Sequence, residues 1–315
     1  MHVGIVGSGS IASRYKSILE TSFGVQPITI SDYVKSASSN SIFKREEIAN
    51  SSYPPGIFDL LIIASENRRH LSDYLLFNMF AKKILIEKPL LHRVLSDAEV
   101  NHLMKRESDI FISSPLRFHQ GFVELLRNRE AIGEISNIEV RCQSWLPDWR
   151  PWRDYRDGFW NDPAQGGVLR EIVHELDYLI RIFGTLNPVY SSFSYSKFLS
   201  LDVESSFDVF LRTSNHEQLN VHLDFSSAVS RRYFRMDGTH GSLIWDILQG
   251  ELSLISTKNV AKIHVFRDDL DRNLTFQRQI ESILDQKSWP VSATNLEESL
   301  SALRLIDKIY ALAKK

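Results

Sequence analysis

The chain has 315 residues, 43% of them hydrophobic and 24% charged, with a formal net charge of −2. That is long for one core, so two domains are expected, and the balanced charge excludes a broad nucleic-acid surface. The single cysteine, Cys142, leaves no internal disulfide to form, and no apolar run reaches the roughly 18 residues of a spanning helix.

The elements follow in chain order. MHVGIVG reads as a short apolar strand ending in glycine, SIASRYKSILE as a helix and PITIS as a second strand closed by Asp32. The opening residues carry no basic stretch followed by a long apolar run, so no signal peptide is expected and a cytoplasmic protein is. FDLLIIAS is a continuous apolar run of the buried parallel-strand type. RRHLSDYLLFNMFA reads as a helix, KKILIEKP as a strand, SDAEVNHLMKR as a helix and DIFISSP as a strand. Strict alternation of this kind means βαβ units and a doubly wound parallel sheet.

The pattern changes after about residue 118. A helix, FVELLRNREAIG, leads into the alternating strand ISNIEVRCQSW. A tryptophan-rich stretch follows, then a helix expected from about 167 to 183. SSFDVFLRT, QLNVHLDFS, RRYFRMDG, GSLIWDI and ELSLIS alternate in and out, as in a largely antiparallel open sheet. Two helices, 273–286 and about 295–313, finish the chain. The expectation is an α/β protein with two domains. Residues 1–116 form a Rossmann domain and 117–315 an α+β domain for substrate and oligomer contacts, with the C-terminal helix free to pack back on the first.

Gly7-Ser8-Gly9-Ser10-Ile11-Ala12 is a GxGxxA turn between the first strand and the first helix. The first glycine permits the turn and the second lets the backbone approach a pyrophosphate. Ala12 permits close helix–strand packing, and the backbone N–H groups at Ser10 and Ile11 open the helix toward an anion. Asp32 lies 20 residues past Ala12, where a carboxylate accepts hydrogen bonds from a ribose 2′-OH. A dinucleotide is expected, NAD ahead of NADP, with Lys35 and Ser36 keeping NADP open.

Glu87, Lys88 and Pro89 end the strand ILIEKP, at the sheet edge where ligands sit in open α/β folds. Taken together, GIVGSGSIA, ASENRRH, IEKPL and LRFH resemble the glucose–fructose oxidoreductase / inositol dehydrogenase family (Gfo/Idh/MocA) over nearly the whole chain. The resemblance implies that Glu87-Lys88-Pro89 lies beside a nicotinamide. It implies that Lys88 binds both cofactor and the reacting hydroxyl, that Pro89 follows a cis bond, and that Ser65, Asn67 and His70 line the nicotinamide half of the cofactor.

In the expected helix GGVLREIVHELDYLIRIFG, the residues Ile172, Leu176, Leu179, Ile180 and Phe183 form one apolar stripe. At 100° per residue, His174 points roughly 180° away from its centre, and Glu171 shares that side. A histidine beside a carboxylate can shuttle a proton near neutral pH; a solvated polar face with Arg170, Asp177 and Arg181 is the alternative. The family resemblance implies that His174 is the acid/base. It also implies a sugar-binding acid upstream, here Glu171, a glutamate in place of aspartate and one residue nearer to the histidine. Glu171-x-x-His174 and Glu99-x-x-His102 also have a di-iron spacing, but the alternating strands lack the bundle such metals need, and no metal is expected.

SWLPDWRPWRDYRDGFW, residues 144–160, holds four of the six tryptophans. Trp149 and Trp160 offer faces to a sugar, and Arg150, Arg153 and Arg156 offer planar forks to an anion. A subunit interface is the alternative use of the same residues. Arg117 in LRFH is a further candidate for substrate or for an internal acid.

The expected activity is NAD(P)-dependent interconversion of a secondary alcohol and a ketone on a sugar-like, anionic substrate: a sugar acid, sugar phosphate or nucleotide sugar. Lys88, His174 and Glu171 are the catalytic set, and a homodimer or homotetramer is expected. A dinucleotide sensor without turnover, or an epimerising enzyme with tightly bound cofactor, remains the alternative.

Overall fold

The structure, a computed structural model, describes residues 1–31, 42–43, 45, 54–105, 109–256, 261–285 and 287–313. The chain forms two compact units. The first comprises Met1–Leu91, Leu95–Pro115 and Asn273–Ser299; the second His92–Val94, Leu116–Arg272 and Leu300–Lys315.

In the first unit, strands β1 (Val3–Val6), β2 (Ile28–Ile30), β3 (Ile42–Phe43), β4 (Phe58–Ile63), β5 (Ala81–Ile86) and β6 (Ile110–Ile112) are all parallel, in the order β6-β5-β4-β1-β2-β3. A two-residue strand, Thr294–Asn295, pairs antiparallel with β6 at the edge. Val3, Ile5, Val6, Leu60 to Ile63 and Ile84 to Ile86 are all buried, as expected of strands covered on both faces. Each such side chain contributes roughly 1.5–3 kcal/mol through burial. The order reverses direction between β1 and β4, which makes the carboxyl ends of these two strands the topological switch point.

In the second unit, β7 (Ile135–Trp145), β8 (Leu186–Ser194), β9 (Ser206–Thr213), β10 (Gln218–Asp224), β11 (Ser226–Gly238), β12 (Gly241–Asp246), β13 (Glu251–Ser256) and β14 (Ala261–Val265) form one sheet, ordered β14-β13-β12-β11-β7-β10-β9-β8. Only β7 and β10 run parallel. Alternation sets the buried face: Ile138, Val140 and Cys142 lie beside Leu219, Val221 and Leu223 on one side, and Val140 and Ile138 beside Phe234 and Met236 on the other. β8 was not expected as a strand. It tolerates Pro188 because it is the sheet's edge, and its register shifts between Pro188 and Tyr190.

The helices Gln120–Asn128 and His174–Phe183 lie on the buried face. Phe122, Tyr178, Phe234 and Trp245 form a cluster of tilted and edge-to-face rings with centroids 5.6–6.3 Å apart. Aromatic pairs at such distances add roughly 0.5–1.5 kcal/mol each beyond area burial. An ion pair serves the helix His174–Phe183: the half-buried Arg232 meets the fully buried Glu175, Nε to Oε1, at 2.7 Å. The first turn of the helix carrying His174 is therefore tied to β11.

Candidate functional site

Four residues at the rim of the first unit's sheet hang on one ladder of backbone hydrogen bonds. Gly7 N–H donates to Ile30, Ala64 to Val6, Glu87 to Ile63 and Ser113 to Ile86, at 2.8–2.9 Å. The expected glycine turn, Ser65 loop and Lys88 thus all fall at carboxyl ends of adjacent strands. Gly7 has φ +120°, and a Cβ there would lie 2.6 Å from the Ala64 carbonyl oxygen, so glycine is required. Gly9 is different. Its φ is −77°, it caps the helix Ser10–Phe23, and a Cβ would meet nothing within 4 Å. The open space before a helix N-terminus fits a pyrophosphate approaching the backbone. Ser10 is exposed, Ile11 half-buried and Ala12 buried against the sheet. Ser31 at the end of β2 bonds Ser8 at 3.1 Å. Asp32, Lys35 and Ser36 lie outside the described residues.

The Lys88–Pro89 bond is cis, and the Lys88 side chain is partly exposed. Both flanks of Lys88 are anchored. Glu87 is buried and accepts the Tyr15 hydroxyl at 2.7 Å. On the other flank, His70 Nδ1 lies 3.1 Å from both the Pro89 and Leu90 carbonyls, and Nε2 lies 3.0 Å from that of Ser65. Burial holds this imidazole below its ordinary pKa, against the pull of the three carbonyls and Glu87. His70 is 1% exposed, so it ties the Ser65 loop to the Pro89 turn through backbone. The Ser65 hydroxyl donates to Asp73 at 2.6 Å, and Asp73 pairs with Arg45 at 2.8 Å. Asn67, which opens the 3₁₀ turn Asn67–Arg69, is buried.

In the second unit the expected 167–183 helix is two helices, Val168–Glu171 and His174–Phe183. Ile172 leaves the helical region with φ −99° and ψ 34°. The two β-branched residues at 172 and 173, both buried, sit poorly in a continuous helix, and the chain breaks there. This corrects the expected face sharing: Glu171 ends one helix and His174 begins the next. It also removes the solvated-face alternative for Glu171, which is 9% exposed; His174 is half-buried.

The tryptophan-rich stretch runs off β7 into three one-turn 3₁₀ segments. Trp160 is its buried anchor at 3% exposure. Gly158 and Gly166 lie so close that a Cβ at either would overlap it, at 2.1 Å from the ring and from the Trp160 carbonyl oxygen respectively. Gly167 N–H donates to that carbonyl at 2.9 Å. Gly167 itself has φ +99°, and a Cβ there would lie 2.1 Å from Glu204 Oε1, which accepts the Tyr310 hydroxyl at 2.5 Å. The glycine pair therefore joins Trp160 to the helix that ends in Glu171.

The guanidiniums of Arg150 and Arg153 lie 4.2 and 5.2 Å from the Trp160 ring centroid. Burial works against the charge of Arg150, and the nearby Glu171 supports it. Arg150, Arg153, Trp160 and Glu171 thus form one cluster. Arg156 is not part of its chemistry: it pairs with Asp154, whose carboxyl it holds at about 2. Arg117 is fully buried, and its guanidinium meets both Asp177 oxygens at 2.9 Å. Trp149 donates to Ser144 at 3.1 Å and packs edge-on against Phe225.

Sequence reasoning missed Tyr15, Asp73 and Gln279. A signal for Asp73 exists, because His70, Asp73, Tyr74 and Phe77 share one helical stripe and are all buried. A polar pair on an apolar stripe is a buried network in waiting. Among the described residues no three His, Cys, Asp or Glu side chains are placed to hold a metal, and Glu99 caps its own helix through Ser96. No described helix is long and apolar enough to cross a membrane.

The profile of the GFO/IDH/MocA C-terminal domain matches residues 123–244. No curated protein matches the sequence. Solved structures similar to this chain include levoglucosan dehydrogenase in complex with NADH, at 14% identity and TM-score 0.80, covering 100% of this chain and 97% of that one. Biliverdin reductase from Synechocystis sp. PCC 6803, in complex with biliverdin and NADP+, has 18% identity and TM-score 0.75, covering 100% and 99%. UDP-N-acetylglucosamine 3-dehydrogenase from Acidithiobacillus ferrooxidans has 15% identity and TM-score 0.73, covering 100% and 97%. At these identities the likeness is one of fold.

Proposed function

We propose that this chain, whose residues 123–244 match the profile of the GFO/IDH/MocA C-terminal domain, is an NAD(P)-dependent oxidoreductase interconverting a secondary alcohol and a ketone on a sugar-like substrate. The observation that carries this reading is the sheet rim: a glycine turn with open space over Gly9, two strands away from a partly exposed lysine. The cofactors in the names of the similar structures, NADH and NADP+, support it.

When bound, the nicotinamide supplies the hydride acceptor. Gly7 makes the turn, and the backbone N–H groups from Gly9 into the helix N-terminus would hold the dinucleotide, with Ser65 and Asn67 flanking it. Asp32 favours NAD. In oxidation, His174 takes the proton from the reacting hydroxyl and Lys88 stabilises the oxyanion that develops. Glu171 orients the sugar, with Arg150 beside it.

The substrate's anionic character rests on Arg150 and Arg153, since Arg117 and Arg156 already have carboxylates of their own. Arg153→Ala and Arg150→Ala should raise KM for a sugar acid or phosphate by on the order of tenfold, while KM for the matching neutral sugar stays the same. An equal effect on both substrates removes the anionic reading. The exposed edge-to-face pair Tyr190 and Phe210 on β8 and β9 supports assembly into a homodimer or homotetramer.

Two experiments test the function. The first is a screen of sugars, sugar acids and nucleotide sugars followed at the nicotinamide absorbance band; cofactor binding with no turnover anywhere in the panel points to a sensor. The second is Gly9→Ala. With ordinary φ and open space, this change should alter stability by less than about 1 kcal/mol. It should weaken NADH binding on the order of tenfold, because the methyl fills the approach to the backbone. Unchanged NADH affinity would place the dinucleotide elsewhere.

A further inference from the structure

The helix that opens on the glycine turn carries a fully buried phenol, Tyr15, at 0% exposure. Its hydroxyl sits among three polar side chains. It donates to Glu87 Oε1 at 2.7 Å, lies 3.2 Å from Ser113 Oγ, and accepts from Gln279 Nε2 at 3.2 Å. Gln279, also 0% exposed, uses its Oε1 to accept the Ser114 N–H at 2.6 Å. Glu87 Oε2 in turn faces the backbone N–H of Lys88 at 3.3 Å. A phenol has one proton to donate and two lone pairs to accept with, and every partner here matches that inventory. Burial and the Glu87 charge push the Tyr15 hydroxyl well above its ordinary pKa, so it remains a donor at working pH.

From this geometry we infer that Tyr15, backed by Gln279, is a positioning residue. It fixes the Glu87 carboxylate and through it the Lys88 backbone, linking the helix of the glycine turn to the strand end that presents the lysine. The carboxyl ends of β5 and β6 and the helix Arg272–Leu284 meet at this one hydroxyl. The other flank of Lys88 is held by His70, so removing the Tyr15 hydroxyl releases one of two anchors. The inference rests on the oxidoreductase reading for its effect on rate, but not for its effect on structure.

The test uses the full chain with Tyr15→Phe, Glu87→Gln and the double variant. Hydrogen exchange of the segment 84–88, with no ligand present, is the readout that does not need turnover. Tyr15→Phe should speed that exchange by about fivefold or more while unfolding stays cooperative. On the sugar found by the screen, kcat should fall on the order of 10- to 100-fold. KM and NADH affinity should stay within about threefold, since neither touches the phenol. The double variant should lose no more than the worse single one, because both act through one carboxylate. Exchange unchanged in Tyr15→Phe, or losses that multiply, overturns the inference. Should Lys88→Ala abolish turnover while Tyr15→Phe keeps it, only this inference fails. If Lys88→Ala keeps turnover, the oxidoreductase reading fails instead, and exchange still decides whether Tyr15 anchors the strand end.

Discussion

Lys88→Ala is expected to lower kcat by about 10²- to 10³-fold, the range seen when a single donor to a developing oxyanion is removed. NADH affinity, measured by fluorescence titration, should stay within about threefold, because the proposed hold on the dinucleotide is through backbone groups at the glycine turn. KM should change little if the ammonium acts mainly on the transition state. Lys88→Arg is not a conservative rescue: a planar fork replaces a point charge at a strand end fixed by Glu87 and His70. A variant with near-normal turnover contradicts the assignment of Lys88.

Arg117→Ala is expected to cost stability rather than affinity. The guanidinium is 0% exposed and donates to both carboxylate oxygens of Asp177, which is 14% exposed. Its loss strips Asp177 of that partner and leaves a cavity, at a cost of about 3–5 kcal/mol. For a unit of this size the melting temperature should drop by roughly 10 °C or more. Replacing the pair together, Arg117→Met with Asp177→Leu, should recover much of that loss, because two apolar side chains leave no buried charge behind. Calorimetry on the three proteins checks this. A normal melting temperature for Arg117→Ala would return Arg117 to the substrate-binding candidates.

Local signals carried much of the fold into view from sequence. The GxGxxA turn is written in adjacent residues, and its two glycines have separate physical reasons: a backbone clash at Gly7 and open space at Gly9. The parallel strands announce themselves as unbroken apolar runs, and β9 and β10 by strict alternation. What escaped depends on partners far away in the chain. Tyr15 meets Glu87 at a separation of 72 residues and Gln279 at 264, so nothing near Tyr15 marks it as polar-bonded. Gln279 belongs to a helix that folds with the first unit although it follows the whole second sheet. The break at Ile172 escaped because the apolar stripe is periodic on both sides of it, and periodicity does not register two residues of lost helix. The charges of Arg117 and Arg156 looked available because their acids, 60 and 2 residues away, become partners only once the chain is folded.

The central claim is that Lys88 and His174 act on one hydroxyl beside the nicotinamide. A crystal structure with NADH and a sugar identified by the screen measures it directly. The account predicts the Lys88 ammonium and the His174 imidazole each within about 3.2 Å of the same substrate oxygen. A complex in which that oxygen is held by only one of them, with the other turned to a different surface, contradicts it.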